Sequence, residues 1–181
     1  MRALVVYESM YGNTHVIASN IADGLRATHE VTLVPVATAT ADHVAQADLL
    51  VVGGPTHMHG LSSAGSRQAA VKAVGQRASH LSLDPDADGP GLRDWLQDIG
   101  DRGALAAAFD TRLSDLPVFT VRASRSIGRL LKQHGYRLIA PPESFLVSHK
   151  NILLIGEAAR ARQWGAALGT AASKAHRPVH A

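Results

Sequence analysis

Ser9, Gly12 and Thr14 fall close together in the run Ser9-Met10-Tyr11-Gly12-Asn13-Thr14, between an apolar segment and a helically spaced one. Two hydroxyls beside a glycine, at the point where a helix begins, suit anion binding. The first amides of a helix lack intrahelical acceptors, and the helix dipole adds positive potential there. Neither lysine nor arginine lies in the run, so the cradle is neutral and suits a phosphate monoester held by amides and hydroxyls. The GxxxxGK[ST] pattern of nucleoside-triphosphate loops is absent, and so is the GxGxxG pattern of dinucleotide folds. The same spacing also serves a plain strand-to-helix turn with Asn13 or Thr14 as its N-cap.

Two further stretches carry chemistry-bearing side chains. Gly54-Pro55-Thr56-His57-Met58-His59-Gly60 follows a second apolar run, and its glycines let backbone approach a flat ligand closely. His57 and His59 alternate without a nearby carboxylate or cysteine, so no metal site is expected from them. Phe109, Asp110, Thr111 and Arg112 open the third stretch. Arg112 is either a solvated surface arginine or a group at the ligand.

The elements that must position these loops follow from pattern. Residues 3–7, 31–36, 48–53, 104–109 and 136–140 are short apolar runs, the first and third rich in valine and leucine, as expected of buried strands. Ile17, Ala18, Ile21 and Leu25 fall at helical spacing after Thr14. Further helices are expected over 41–47, 67–78, 92–99, 124–134 and 157–174. The alternation of strand and helix predicts one α/β domain over residues 1–175, with a parallel sheet between helical layers and a loose tail over 176–181. Proline cannot donate to a strand ladder and belongs on edges. Pro35 lies in the second strand and Pro141-Pro142 follow the fifth, so those two are expected at the edges. The strand order 2-1-3-4-5 satisfies this, and the order 3-2-1-4-5 would bury Pro35. In a sheet of order 2-1-3-4-5 ligands bind beyond the carboxyl ends of the strands, at the switch point between strands one and three, where residues 8–14, 54–60 and 110–123 converge.

Composition narrows the function classes. The chain has 181 residues, 46% of them hydrophobic and 18% charged, with no cysteine. That describes a globular chain whose redox chemistry, if any, must come from a bound cofactor. The net charge is +3 and aromatics are only 4%. The basic residues form no block, so a nucleic-acid surface is not expected. No apolar run is long enough to span a bilayer, and the N-terminal apolar run is too short for a signal peptide, so a cytoplasmic location is expected.

The first run resembles the FMN phosphate loop of the flavodoxin family, with the pattern [ST]-x-T-G-x-T. Ser9, Gly12 and Thr14 match it, and Tyr11 replaces the central threonine. The second, with Pro55, Thr56, His57, Met58 and His59, is similar to the family's G-x-P-T-[YH] stretch, whose backbone touches the pyrimidine side of the flavin ring. Phe109, Asp110, Thr111 and Arg112 correspond in position to the family's second ring-contacting loop. The resemblance implies a flavodoxin-like fold with non-covalently bound FMN. The tryptophan–tyrosine pair that usually stacks on the ring is missing, and Met58, His59 or Phe109 is expected to supply cover. Three functions are open: an electron carrier between partner proteins, an FMN-dependent oxidoreductase of small molecules such as quinones, and a module without cofactor. The mildly basic charge departs from the acidic carriers of the family. A phosphoacceptor receiver domain shares the strand order but needs acids that this sequence lacks.

Overall fold

The computed structural model describes residues 1–57, 60–74, 81–87, 89–100, 103–114 and 122–176. Four strands are built from the expected apolar runs: β1 (Arg2–Tyr7), β2 (Glu30–Pro35), β3 (Leu49–Pro55) and β4 (Leu105–Leu113). They pair in parallel in the order β2-β1-β3-β4. The outer position beside β4 is filled by two short strands in tandem. β5 (Arg137–Leu138) pairs with Leu105 and Ala106, and β6 (Glu143–Val147) pairs with Phe109–Leu113. Pro141-Pro142 lie between them, and prolines without N–H groups break the ladder there. The strand order is therefore 2-1-3-4-5 with the last place split. The stretch after Ala140, which is not among the expected strands, contains β6.

Alternation along the strands sends side chains to two helical layers. Ala3, Val5, Tyr7, Leu49, Val51, Ala107 and Phe109 face α1 (Asn13–Leu25) and α6 (Glu157–His176), joining Ile17, Ile21, Leu25 and Leu168 in one core. Leu4, Val6, Leu50, Val52, Ala106 and Ala108 face the other side. There they meet Val44 of α2 (Ala41–Gln46), Leu92 of α4 (Leu92–Trp95), and Ile127 and Leu131 of α5 (Ala123–Gln133). α4 is shorter than the helix expected over 92–99, although Leu96 and Ile99 remain buried beyond it. α3 (Ala64–Val74) begins three residues before the expected start, and the rest of the expected helix, residues 75–78, lies outside the described residues, as do tail residues 177–181.

α1 and α6 cross at two glycines. A Cβ on Gly24 would stand 2.1 Å from the Arg162 carbonyl oxygen, and one on Gly165 would stand 2.2 Å from that of Ile21. Only glycine permits backbones this close. The tight crossing presses α1 onto β1 and so fixes where the start of α1 lies relative to the strand ends. Among the described residues no helix is long and apolar enough to cross a membrane.

Candidate functional site

At the carboxyl end of the sheet the chain leaves β1 with Glu8, whose amide donates to the Gly53 carbonyl (3.0 Å). Ser9 is buried, and its hydroxyl accepts from the Gly12 amide (3.1 Å). Gly12 takes φ 90°, a left-handed conformation that favours glycine, and forms the N-cap of α1. It offers no side-chain cap, and the first turn contains no acid. The alternative reading with Asn13 or Thr14 as the cap does not hold, because both are already inside the helix. The amides of this first turn have no acceptor within the helix.

Thr14 is buried and its hydroxyl lies 2.7 Å from that of Thr111. Asn13 Nδ2 donates to the backbone oxygen (2.9 Å) and Oδ1 (3.0 Å) of Asn151. The Tyr11 hydroxyl donates to the Ala70 carbonyl of α3 (3.0 Å). The first loop is thus tied to β4, to the 148–152 turn and to α3.

The second loop extends β3. The Thr56 amide donates to the Thr111 carbonyl (2.8 Å), and the Thr56 hydroxyl accepts from the Ala123 amide (2.9 Å). His57 and Gly60 form an antiparallel bridge. Burial holds the His57 imidazole below its usual range; nearby Glu8 opposes this, and Arg67 adds to it. Its Nε2 is buried with no hydrogen-bond partner among the described residues. Glu8 is itself buried, and its Oε2 accepts from the Ser62 hydroxyl (2.6 Å) and the Leu92 amide (2.8 Å).

A cleft of about 620 Å³ opens between these segments, a size that suits a small organic cofactor. Of the residues singled out in the sequence, Met10, Tyr11, Asn13, Thr14, Pro55, Thr56, His57, Thr111 and Arg112 line it. Ser9, Gly12 and Gly60 do not; Ser9 lies beneath the loop, and Gly12 faces a second hollow behind it. Met58 and His59 lie outside the described residues.

Phe109 and Asp110, also singled out in the sequence, do not line the cleft. Phe109 is fully buried against Phe145 and Trp164, at ring-centroid distances of 6.3 and 6.4 Å. Strand parity turns it to the α1–α6 face. Asp110 is fully buried, and its Oδ2 accepts from the Ser124 amide (2.8 Å). Residues 110–113, expected in a loop, belong to β4: Asp110 and Thr111 pair with both β3 and β6, and Arg112 and Leu113 pair with β6.

Several lining residues had no motif. Ser66, Ala69, Ala70 and Ala73 of α3 form one wall, and Arg93, Val147 and Asn151 contribute others. The small-residue composition of 62–73 was the available signal, since such a face admits close approach. Arg93 donates to the Leu61 (2.8 Å) and Ser62 (3.0 Å) carbonyls, which fixes the turn before α3.

The strand order, the switch point between β1 and β3, and the convergence of these loops define a flavodoxin-like α/β sandwich. The family model for flavodoxin matches residues 5–101, and the chain belongs to the flavodoxin family. The fold is similar to that of a flavodoxin from the domain Archaea, at 17% identity, TM-score 0.67 and coverage of 96% of this chain and 99% of that one. Flavodoxin 1 from Bacillus cereus is 18% identical with TM-score 0.65, over 98% of this chain and 100% of that one. A WrbA-like flavodoxin from Agrobacterium tumefaciens is 22% identical with TM-score 0.57, over 96% and 98%. At these identities the likeness shows the fold alone. No curated protein matches the chain by sequence.

Proposed function

We propose that this chain binds FMN in the cleft and transfers electrons by means of it. The observation that carries this reading is the start of α1. An uncapped helix N-terminus with the Thr14 hydroxyl beside it opens onto a cleft of cofactor size. On the same cleft, the His57 Nε2 is buried and unpartnered among the described residues. An orphaned polar atom of this kind suits a ligand that completes its hydrogen bonding.

In this reading the amides at the start of α1 and the Thr14 hydroxyl hold the phosphate. Ser9 keeps Gly12 in its turn, and Thr111 positions Thr14. The segment from Pro55 to His57 takes one edge of the ring, and Arg112 stands near it. FMN, when bound, supplies one- and two-electron chemistry, and the protein tunes it by hydrogen bonds and charge.

One observation favours an FMN-dependent oxidoreductase over a carrier. His57, Arg93 and Arg112 line the cleft, and among the described residues no carboxylate does. Such a lining stabilises anionic charge near the ring and leaves room for a small electron acceptor such as a quinone. The carrier reading instead requires redox partner proteins.

Flavin extraction from purified protein, followed by FMN titration with fluorescence quenching, tests the cofactor. Saturable 1:1 quenching supports the proposal, and a chain that FMN never quenches refutes it in favour of a module without cofactor. NAD(P)H turnover with a quinone by the chain alone selects the enzyme. Dependence on a separate reductase selects the carrier.

A further inference from the structure

Behind the first loop, on the side away from the cleft, three ligand-type atoms converge. His15 lies in the first turn of α1. Asp84 and Asp86 come from the 81–87 segment, which is fastened to the loop by the Asp84 amide donating to the Met10 carbonyl (2.9 Å). His15 Nδ1 is 3.5 Å from Asp84 Oδ2 and 3.9 Å from Asp86 Oδ2. All three atoms lie within 4.8 Å of one another. Ligands at about 2.0–2.2 Å from one tetrahedral ion stand roughly 3.3–3.6 Å apart. The 3.5 Å distance from His15 to Asp84 already has that spacing, and the 3.9 Å distance from His15 to Asp86 is slightly wider.

Asp84 is the buried member of the cluster. Its side chain is only 1% exposed. Oδ1 accepts from the Asp86 amide (3.0 Å), and Oδ2 faces His15 Nδ1 at 3.5 Å. A carboxylate this buried is costly unless cationic partners meet it. The other two groups are held in place from behind. The Tyr7 hydroxyl donates to Asp86 Oδ2 (2.7 Å), and the Tyr7 ring stacks on the His15 ring, with centroids 4.6 Å apart and planes at 22°. Outer contacts of this kind orient the ligands of metal sites. In front, a hollow of about 420 Å³ lined by His15, Ser19, Asn20, Ser82 and Asp84 leaves room for water.

We propose that His15 Nδ1, Asp84 Oδ2 and Asp86 Oδ2 bind a divalent transition-metal ion of the Zn²⁺ type, with solvent completing its coordination. One imidazole with two carboxylates suits Zn²⁺ better than Mg²⁺, which favours oxygen ligands in octahedral geometry. The site uses no residue assigned to the flavin, so it stands whether or not FMN binds. The cluster is not legible in the sequence, because the metal-type spacing exists only after residues 81–87 fold back onto the first loop.

The test is Zn²⁺ titration of the full chain against a chromophoric chelator, with Co²⁺ as a spectroscopic substitute. One strong Zn²⁺ per chain is expected, undisturbed by excess Mg²⁺. His15→Gln and Asp84→Asn should each weaken it by about 100-fold or more and abolish the Co²⁺ ligand-field bands, and Tyr7→Phe should weaken it about 10-fold. The chain contains ten histidines, so His43→Ala serves as the control and should change nothing. Circular dichroism confirms that each variant folds; His15, 40% exposed at its side chain, is the substitution least able to unfold the chain. Absence of strong Zn²⁺ binding by the unmodified chain, or equal binding by folded His15→Gln, overturns the proposal.

Discussion

Replacing Thr14 by valine tests the phosphate assignment and the packing beneath it together. The hydroxyls of Thr14 and Thr111 are 2.7 Å apart and both residues are buried. The pair holds two protons and uses one between its members. The other is left for a third acceptor, which in the proposed complex is a phosphate oxygen. Valine at 14 keeps the shape and removes that donor. A hydrogen bond to a charged acceptor is worth about 1.5–3 kcal/mol, so FMN should bind about 10- to 150-fold more weakly. The same change strands the Thr111 hydroxyl, at about 1–3 kcal/mol of stability. Thr14→Val with Thr111→Val removes both partners, and stability should return near the starting value while affinity stays low. Urea unfolding of the flavin-free chain reads the first quantity, and fluorescence quenching by FMN reads the second. A double variant binding FMN within about twofold of the parent would refute the phosphate contact. A stability loss equal to the sum of the single losses would refute the coupling between the threonines.

Alanine at Gly24 gives a test whose sign is informative. In an uncrowded helix it should stabilise by about 1 kcal/mol, but here its Cβ meets the Arg162 carbonyl at 2.1 Å. Overpacking of about 1–3 kcal/mol should lower Tm by roughly 2–12 °C, and a rise in Tm would show that α1 and α6 do not cross as described. His57 should give the fold a pH dependence. Its pKa is held below the ordinary 6.5, chiefly by burial, so the unfolded chain takes up a proton there more readily than the folded one. This contribution to stability is present above about pH 6.5 and is lost as pH falls through the folded value. His57→Gln should flatten the stability profile in that window, while the loss from Glu157 should persist at lower pH. Burial opposes ionisation of Glu157, but hydrogen bonds from Arg160 and the Leu146 amide keep its pKa below 4.5. An unchanged slope below pH 6.5 in His57→Gln would remove the assignment.

The parts of this fold legible in the sequence are those where one local rule decides the outcome. Continuous apolar runs marked β1 and β3, and helical spacing marked α1. The absence of a proline N–H placed β2 at an edge, where Pro35 ends the pairing with Tyr7. The loops after β1 and β3 were legible because their side chains belong to strand ends whatever surrounds them. Where tertiary pairing decides, local rules failed. Thr111 and Arg112 look like loop residues, yet ladders hold them in β4, Thr111 from both sides and Arg112 from β6. That extension determines the site, since it brings the Thr111 hydroxyl to Thr14 and turns Arg112 to the cleft. It also explains why Phe109 does not line the cleft. With Leu105, Ala107 and Phe109 sharing one face of a continuous strand, the ring has to enter the α1–α6 core, however well an aromatic would have suited a flavin. The wall from α3 was hidden for a different reason. It is made by alanines and serines whose contribution is the space they leave, and such a face has no pattern of its own until the fold puts a cleft beside it.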